Sequence, residues 1–390
     1  MSPKKTGSKG LQTEELLRRY FLRAGFFVVR GVPIRHEGVD LTDADLWVYE
    51  RSATLARRRT IVDIKDKGTP KAAERLFFVK GLAETIGVEG AGVATTDPRP
   101  GLRRLARKQG VLWIDGGDIQ RLKGSAELAN WDRLDEEELA SDVATLDTAR
   151  ATRILRDQFS QLKSSIADRF GASSANVSLE SAGIFAREVT SAHPSSDSAK
   201  TLLRLTYLST AIAAASLDFA SADTALRPAA ERLKGLTDAI RYGSDTDGTL
   251  EKVRFAESAI REYAPNGAGL AKVVRDGITK DLAAIPAEGL AEIVLKMTRG
   301  DTLFEVARLL ESAAFSRTVP SFDELETLPR SFVGAVLDFV RIDRPTFAKS
   351  VRSSSLVPAQ ISGMHEGTQQ ASQSLVPDDI HTTTKPGQLI

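Results

Sequence analysis

The sequence predicts a mixed α/β domain, then an all-α domain, then a disordered tail. Three observations carry this reading. Between residues 11 and 124, apolar runs of strand length alternate with segments of helical period. From Arg133 to about Val340 no strand pattern is evident, and helical periods follow one another between Gly, Pro and Ser breakers. Residues 351–390 are rich in Ser, Thr, Gln, Gly and Pro and poor in aromatics, too little apolar surface to offset the entropy of ordering. The expected divisions are a flexible basic arm (1–10), the α/β domain (11–124), the all-α domain (125–350) and the tail (351–390).

The α/β elements follow from local pattern. Residues 11–24 read as a helix, with Leu16, Leu17, Tyr20, Phe21 and Ala24 on one face, Thr13 as N-cap and Gly25 as the stop. Glu14 and Glu15 then lie near a helix N-terminus, where negative charge is favourable. Residues 26–30, 45–49 and 60–65 read as strands, with 51–59 as a long hairpin turn. Residues 72–87 read as a helix, 90–96 as a strand of small residues, 102–109 as a basic helix and 111–114 as a last strand. The all-α region should hold roughly eight to ten helices. Capping boxes are expected at Thr302 with Glu305 and at Ser321 with Glu324.

Composition excludes several chemistries. There is no cysteine, so disulfides and thiolate metal sites are ruled out. Four scattered histidines, His36, His193, His365 and His381, make no zinc set. Any metal would have oxygen ligands, which favours Mg²⁺ or Mn²⁺. No Walker motif occurs. The basic N-terminus lacks the apolar stretch of a signal peptide. The most apolar segment, residues 205–220, carries Ser209, Thr210, Ser216 and Asp218, so a buried helix is expected rather than a membrane span. A cytoplasmic protein without membrane contact is the expectation. The net charge of +1 conceals an asymmetry: residues 1–124 hold 24 Lys+Arg against 15 Asp+Glu, a net of +9, which leaves −8 for the rest. Either the first domain meets a polyanion, or the two parts attract each other.

Chemistry concentrates between Thr42 and Lys67. Strand alternation places Asp63 and Lys65 on one face and Val62 and Ile64 on the other. Asp45 lies on the neighbouring strand, with Asp43 on the same face as a fallback ligand. Candidate phosphate contacts are Arg57, Arg58 and Arg59 in the expected hairpin, Lys67, and Arg103, Arg104, Arg107 and Lys108 on the basic helix. Each also reads as a solvated surface charge. Trp47 and Trp113 read as core.

Asp45, 17 residues, then Asp63-Ile64-Lys65 resembles the PD-(D/E)xK signature of restriction-endonuclease-like enzymes. The flanking segments sharpen this resemblance. ELLRRYFLRAGFFVVRG resembles the first helix and strand of archaeal Holliday-junction resolvases, and EGAGVATTDPRPGLRRLARKQGVLWIDGGDIQRL resembles the end of Mrr-like restriction domains. The resemblance covers about residues 11–123. Ala44 stands where proline is frequent, and Asp63 where many Mrr-like domains carry Glu or Gln. The resemblance implies a restriction-endonuclease-like mixed sheet and a Mg²⁺-dependent endodeoxyribonuclease of restriction, defence or repair type. Asp45, Asp63 and the Ile64 carbonyl would hold the metal, and Lys65 would position the attacking water. Glu14, or alternatively Glu15, would assist. Cutting both strands implies a homodimer or higher oligomer, and the helical domain would mediate oligomerisation or bind a partner. The competing expectation is a non-catalytic nucleic-acid-binding scaffold.

Overall fold

The computed structural model describes residues 9–36, 39–66, 71–146, 149–194 and 196–351. The first part runs α1 (Lys9–Arg23), β1 (Phe27–His36), β2 (Val39–Arg51), β3 (Arg57–Lys65), α2 (Ala72–Thr85), β4 (Gly90–Thr95), α3 (Pro100–Lys108), β5 (Val111–Ile114) and α4 (Gly116–Lys123). The strands form one sheet in sequence order. The first three are antiparallel neighbours, whereas β3, β4 and β5 run parallel. The short 52–56 link permits only a hairpin, while α2 and α3 supply the crossovers that parallel neighbours need.

Alternation along the strands separates two apolar faces. Leu46, Val48, Val62 and Ile64 pack with Leu17 and Phe21 of α1 and Ile119 of α4. Trp47, Tyr49, Ile61 and Val93 lie in the other cluster, with Leu76 and Val79 of α2 and Ala106 of α3. The expected mixed sheet with flanking helices is therefore present.

The remainder is helical: α5 (Ala126–Ala129), α6 (Glu136–Ala144), α7 (Ala149–Asp168), α8 (Ala172–Ser191), α9 (Asp197–Ala220), α10 (Ala229–Tyr242), α11 (Thr246–Tyr263), α12 (Gly267–Ala283), α13 (Ala287–Met297), α14 (Thr302–Ala314), α15 (Thr327–Phe339) and α16 (Arg344–Ser350). The Ala-rich helix α9 is buried along nearly its whole length. Its hydroxyls bond back to the preceding turn, as Thr206 does to Leu202 O at 2.9 Å and Ser209 to Leu205 O at 2.7 Å. This satisfies polar groups that burial would otherwise leave unpaired. No described helix is long and apolar enough to cross a membrane.

Sheet and helices share one core. Trp47 and Tyr49 meet Phe170 at ring-centroid distances of 4.5 and 5.3 Å, and Tyr49 meets Phe304 at 5.5 Å. The described residues belong to one compact unit, so the change of element type near residue 124 occurs within continuous packing. Basic residues of the first part pair with acids of the second. Arg18 holds Glu311 at 2.7 Å, which Arg133 of the second part also holds at 2.6 Å, Arg30 holds Glu137 at 2.5 Å, and Arg51 and Arg57 hold Asp218 at 2.6 and 3.1 Å. Part of the charge asymmetry is thus spent inside the molecule, the second of the two readings offered by the sequence.

Several local expectations are corrected. Helix α1 begins at Lys9, because Gly10 is tolerated inside a helix that packing stabilises. Thr13 is therefore no N-cap; it is buried and donates to Asp66 at 2.6 Å. Glu14 and Glu15 lie one turn into the helix rather than at its start. Pairing of Glu50 with Arg58 and Arg51 with Arg57 extends the hairpin strands, so the three arginines are strand residues. Asp301, not Thr302, precedes α14, and neither caps it by a side-chain bond. The Ser321–Glu324 box does form, with Glu324 accepting from the Ser321 N–H at 2.7 Å. Between Arg133 and Val340 the described residues hold ten α-helices, α6 to α15, within the expected number; α5 and α16 lie outside that stretch. The tail beyond Val351 and residues 1–8 of the arm lie outside the described residues.

Candidate active site at the end of the third strand

The ladder between β2 and β3 stops at Leu46 opposite Val62. Strand β3 continues to Lys65, paired with β4 alone, where Lys65 stands level with Thr95. The edge of β3 that faces β2 is open over its last residues. Asp45 reaches across, and its Oδ2 accepts the Ile64 N–H at 2.6 Å. In a strand the N–H and C=O of one residue share an edge, so the Ile64 carbonyl belongs to the same side. Ile64 and Val62 are anchored in the core beneath α1, which leaves Asp63 and Lys65 projecting from the other face. The Lys65 ammonium lies 3.4 Å from Asp45 Oδ2 and 3.7 Å from Asp63 Oδ1. The three side chains singled out in the sequence are together.

Glu14 approaches from α1. Arg30 of β1 holds it at 3.0 Å. Burial pushes the Glu14 carboxyl above its ordinary value; Arg30 opposes this and the charge of Asp45 adds to it. Glu15 turns instead toward Arg18 and Arg30. Asp45 is likewise held above the usual carboxylate value. Burial is the main cause, the Ile64 N–H and Lys65 oppose it, and Asp63 adds to it. These carboxyls have incompletely compensated charge, a condition that a cation relieves.

Sequence reasoning missed Arg75. It sits in the first turn of α2 and donates to Asp63 through Nε at 2.7 Å and also through Nη2. Its guanidinium lies 4.1 Å over the Phe78 ring. The available signal was an arginine in the first turn of the helix that leaves the motif strand. Among the described residues, no group of three or more acids or histidines is arranged around a metal position. Two carboxylates and a carbonyl nevertheless match a Mg²⁺ ion, which keeps waters and binds few protein ligands. Such an ion would require Arg75 to yield Asp63.

The basic candidates separate. Arg104, Arg107 and Lys108 are exposed on α3, whose first turn follows the end of β4 and whose last turn, with Arg107 and Lys108, leads to Val111, level with Ala91 near the start of β4. Arg103 is engaged by Asp118 at 2.9 Å and Asp115 at 3.5 Å. Arg57 and Arg59 do not stand free at a hairpin tip. The Arg57 side chain is 3% exposed against Asp218, and Arg59 pairs with Glu89 at 2.6 Å beneath Phe219. Both lie at the opposite end of β3, Arg59 roughly 20 Å and Arg57 roughly 26 Å from Lys65 at strand rise. Arg58 and Asp43 are exposed. Lys67 lies outside the described residues. Trp47 and Trp113 are core, as expected. A cavity of about 600 Å³ between α8, α10 and α15 contains none of these side chains. In the Asp45–Lys65 cluster the Lys65 side chain is 30% exposed, whereas those of Asp45 and Asp63 are 17% and 8% exposed.

The chain matches no protein-family model, no curated protein and no solved structure in comparison with each.

Proposed function

We propose that this protein is a metal-dependent endodeoxyribonuclease with a restriction-endonuclease-like core. The observation that carries the reading is the convergence of Asp45, Asp63 and Lys65 at the end of β3. Asp45, Asp63 and the Ile64 carbonyl would hold Mg²⁺ or Mn²⁺, with Glu14 in support. The ion would supply charge stabilisation at the phosphate and a more acidic water. Lys65 orients the water for attack on phosphorus and offsets the negative charge that grows on the phosphoryl oxygens. Water adds, one P–O ester bond breaks, and the departing oxygen takes a proton. Arg104, Arg107 and Lys108 would contact the backbone without reading sequence.

The test is nicking of supercoiled plasmid in Mg²⁺ or Mn²⁺. Wild type should cut, and Asp63→Ala and Lys65→Ala should lose about 10²-fold or more, the scale of removing one preorganised charge contact. Equal cutting by all three would remove these residues from the chemistry. One observation favours a second reading, a non-catalytic nucleic-acid-binding scaffold: Arg75 already occupies Asp63. That reading predicts DNA retention on a gel with no cleavage in either metal. An RNA substrate run beside the plasmid separates a ribonuclease from both.

A further inference from the structure

Helices α11 and α12 form an antiparallel hairpin that leaves the body. They pack on each other, and α11 otherwise meets α10. No residue of α11 is buried, and only Gly267 and Ala271 of α12 are. Helices of this length are marginal in water without a packed face. The half-buried Val253, Ile260, Val274 and Ile278 mark the seam between the two helices. A second apolar set faces outward: Phe255 is 77% exposed, Tyr263 80%, Val273 69% and Leu270 44%.

Helical rotation shows that this second set is one surface. Counted at about 100° per residue, Tyr263 on α11 and Leu270 and Val273 on α12 are offset from the seam in the same angular sense by about 60–120°, and Phe255 by about 150°, at the outer flank of that side. In an antiparallel pair, equal offsets point to the same side of the hairpin. The opposite side carries Arg254, Arg261, Lys272 and Asp276.

We propose that this face binds the same face of a second copy of the chain, with the hairpin tips pointing the same way. Three features select that occupant. The face measures roughly 25 by 20 Å from helix rise and width, so two copies bury about 1,000 Å², the lower bound for a specific interface. Its relief is self-complementary. A two-fold axis along the hairpin lays α11 over the second copy's α12, and Phe255 then stands level with the gap between Val273 and Gly277. An added Cβ at Gly277 would meet nothing within 4 Å, so the surface there is open to receive a ring. Its charge is self-complementary as well. Lys252 of one copy comes within about one helical turn of Asp281 of the other, and both side chains are exposed. The proposal does not depend on the nuclease reading.

The experiment is sedimentation equilibrium of the full chain from about 1 to 100 µM, a range that brackets a moderate dimer, with far-UV circular dichroism as the folding check. Wild type should be a dimer. Phe255→Asp with Val273→Asp should be a monomer with unchanged dichroism, since both side chains are exposed. Lys252→Glu should weaken the dimer about tenfold, and Lys252→Glu with Asp281→Lys should recover it. A monomeric wild type overturns the proposal. So does a dimer that the double aspartate variant leaves intact, which places the contact elsewhere. Loss without recovery in the charge swap overturns the stated pairing of α11 with α12.

Discussion

Two regions of the molecule gather charge, and they settle it in opposite ways. Between the sheet and the helices, Arg18, Arg133 and Glu311, Arg30 and Glu137, and Arg51, Arg57 and Asp218 are matched at bonding distance. Glu136 shows the result. Burial works against its charge, yet Lys163 and Arg18 hold its carboxyl below the ordinary value. At the end of β3, burial also dominates, but there the partners do not suffice, and Glu14 and Asp45 are held above theirs. The first pattern is that of an interface that must stay closed. The second leaves carboxylate charge incompletely compensated, the condition that the proposed cation site requires.

The largest expected effect lies in the matched region. Asp218→Asn leaves Arg51 and Arg57 without their buried anion and takes an acceptor from Tyr49, which donates to Asp218 at 2.6 Å. It should lower stability by about 3–5 kcal/mol, read as a fall in urea midpoint. An unchanged midpoint would mean that the network contributes nothing.

Next is Arg75. Arg75→Gln frees Asp63 and should strengthen Mn²⁺ binding about tenfold, a change equivalent to one favourable charge contact. A loss of binding would show instead that Arg75 only positions Asp63.

Asp45→Asn tests the unmatched region from the other side. The neutral amide can still accept from Ile64 N–H while the buried charge is gone. Because the Asp45 carboxyl is raised, its ionisation costs stability as pH rises above the ordinary value of 3.8. The variant should therefore be more stable near neutral pH by about 1 kcal/mol and inert in cleavage. The gain should vanish below that pH, where the wild-type carboxyl is protonated as well. A destabilised variant at neutral pH would refute the incomplete compensation of that charge.

The smallest effect concerns acid. Glu136 is depressed, so its contribution is present above the ordinary value of 4.5 and is lost as pH falls through its lower value in the folded state. Glu136→Gln should flatten the acid limb of the stability curve by about 1 kcal/mol, measured by thermal melts from neutral pH downward.

The sequence made the sheet legible because its signals are local. Alternation around Asp63 and Lys65 and the small-residue run at β4 need no knowledge of distant partners. The convergence of Asp45 with Lys65 was legible from the motif spacing. Arg75 was not, because its distance to Asp63 depends on how α2 leaves β3. Arg57 and Arg59 misled for a related reason: three consecutive arginines look solvated until Asp218, 161 residues away in sequence from Arg57, is brought beneath them. Thr13 failed likewise as a cap, because Asp66 claims its hydroxyl across the fold. Local pattern reports element type and face; ion pairs between remote segments decide which charges are free.

The central claim is that the β3 cluster takes a divalent cation and the interface does not. Calorimetric titration of Mn²⁺ into the full chain tests it most directly, beside Asp45→Asn, Asp63→Asn and Glu136→Gln. The account predicts binding in wild type and in Glu136→Gln and its loss in both site variants. Absence of binding in wild type, or equal binding in all four proteins, would contradict it.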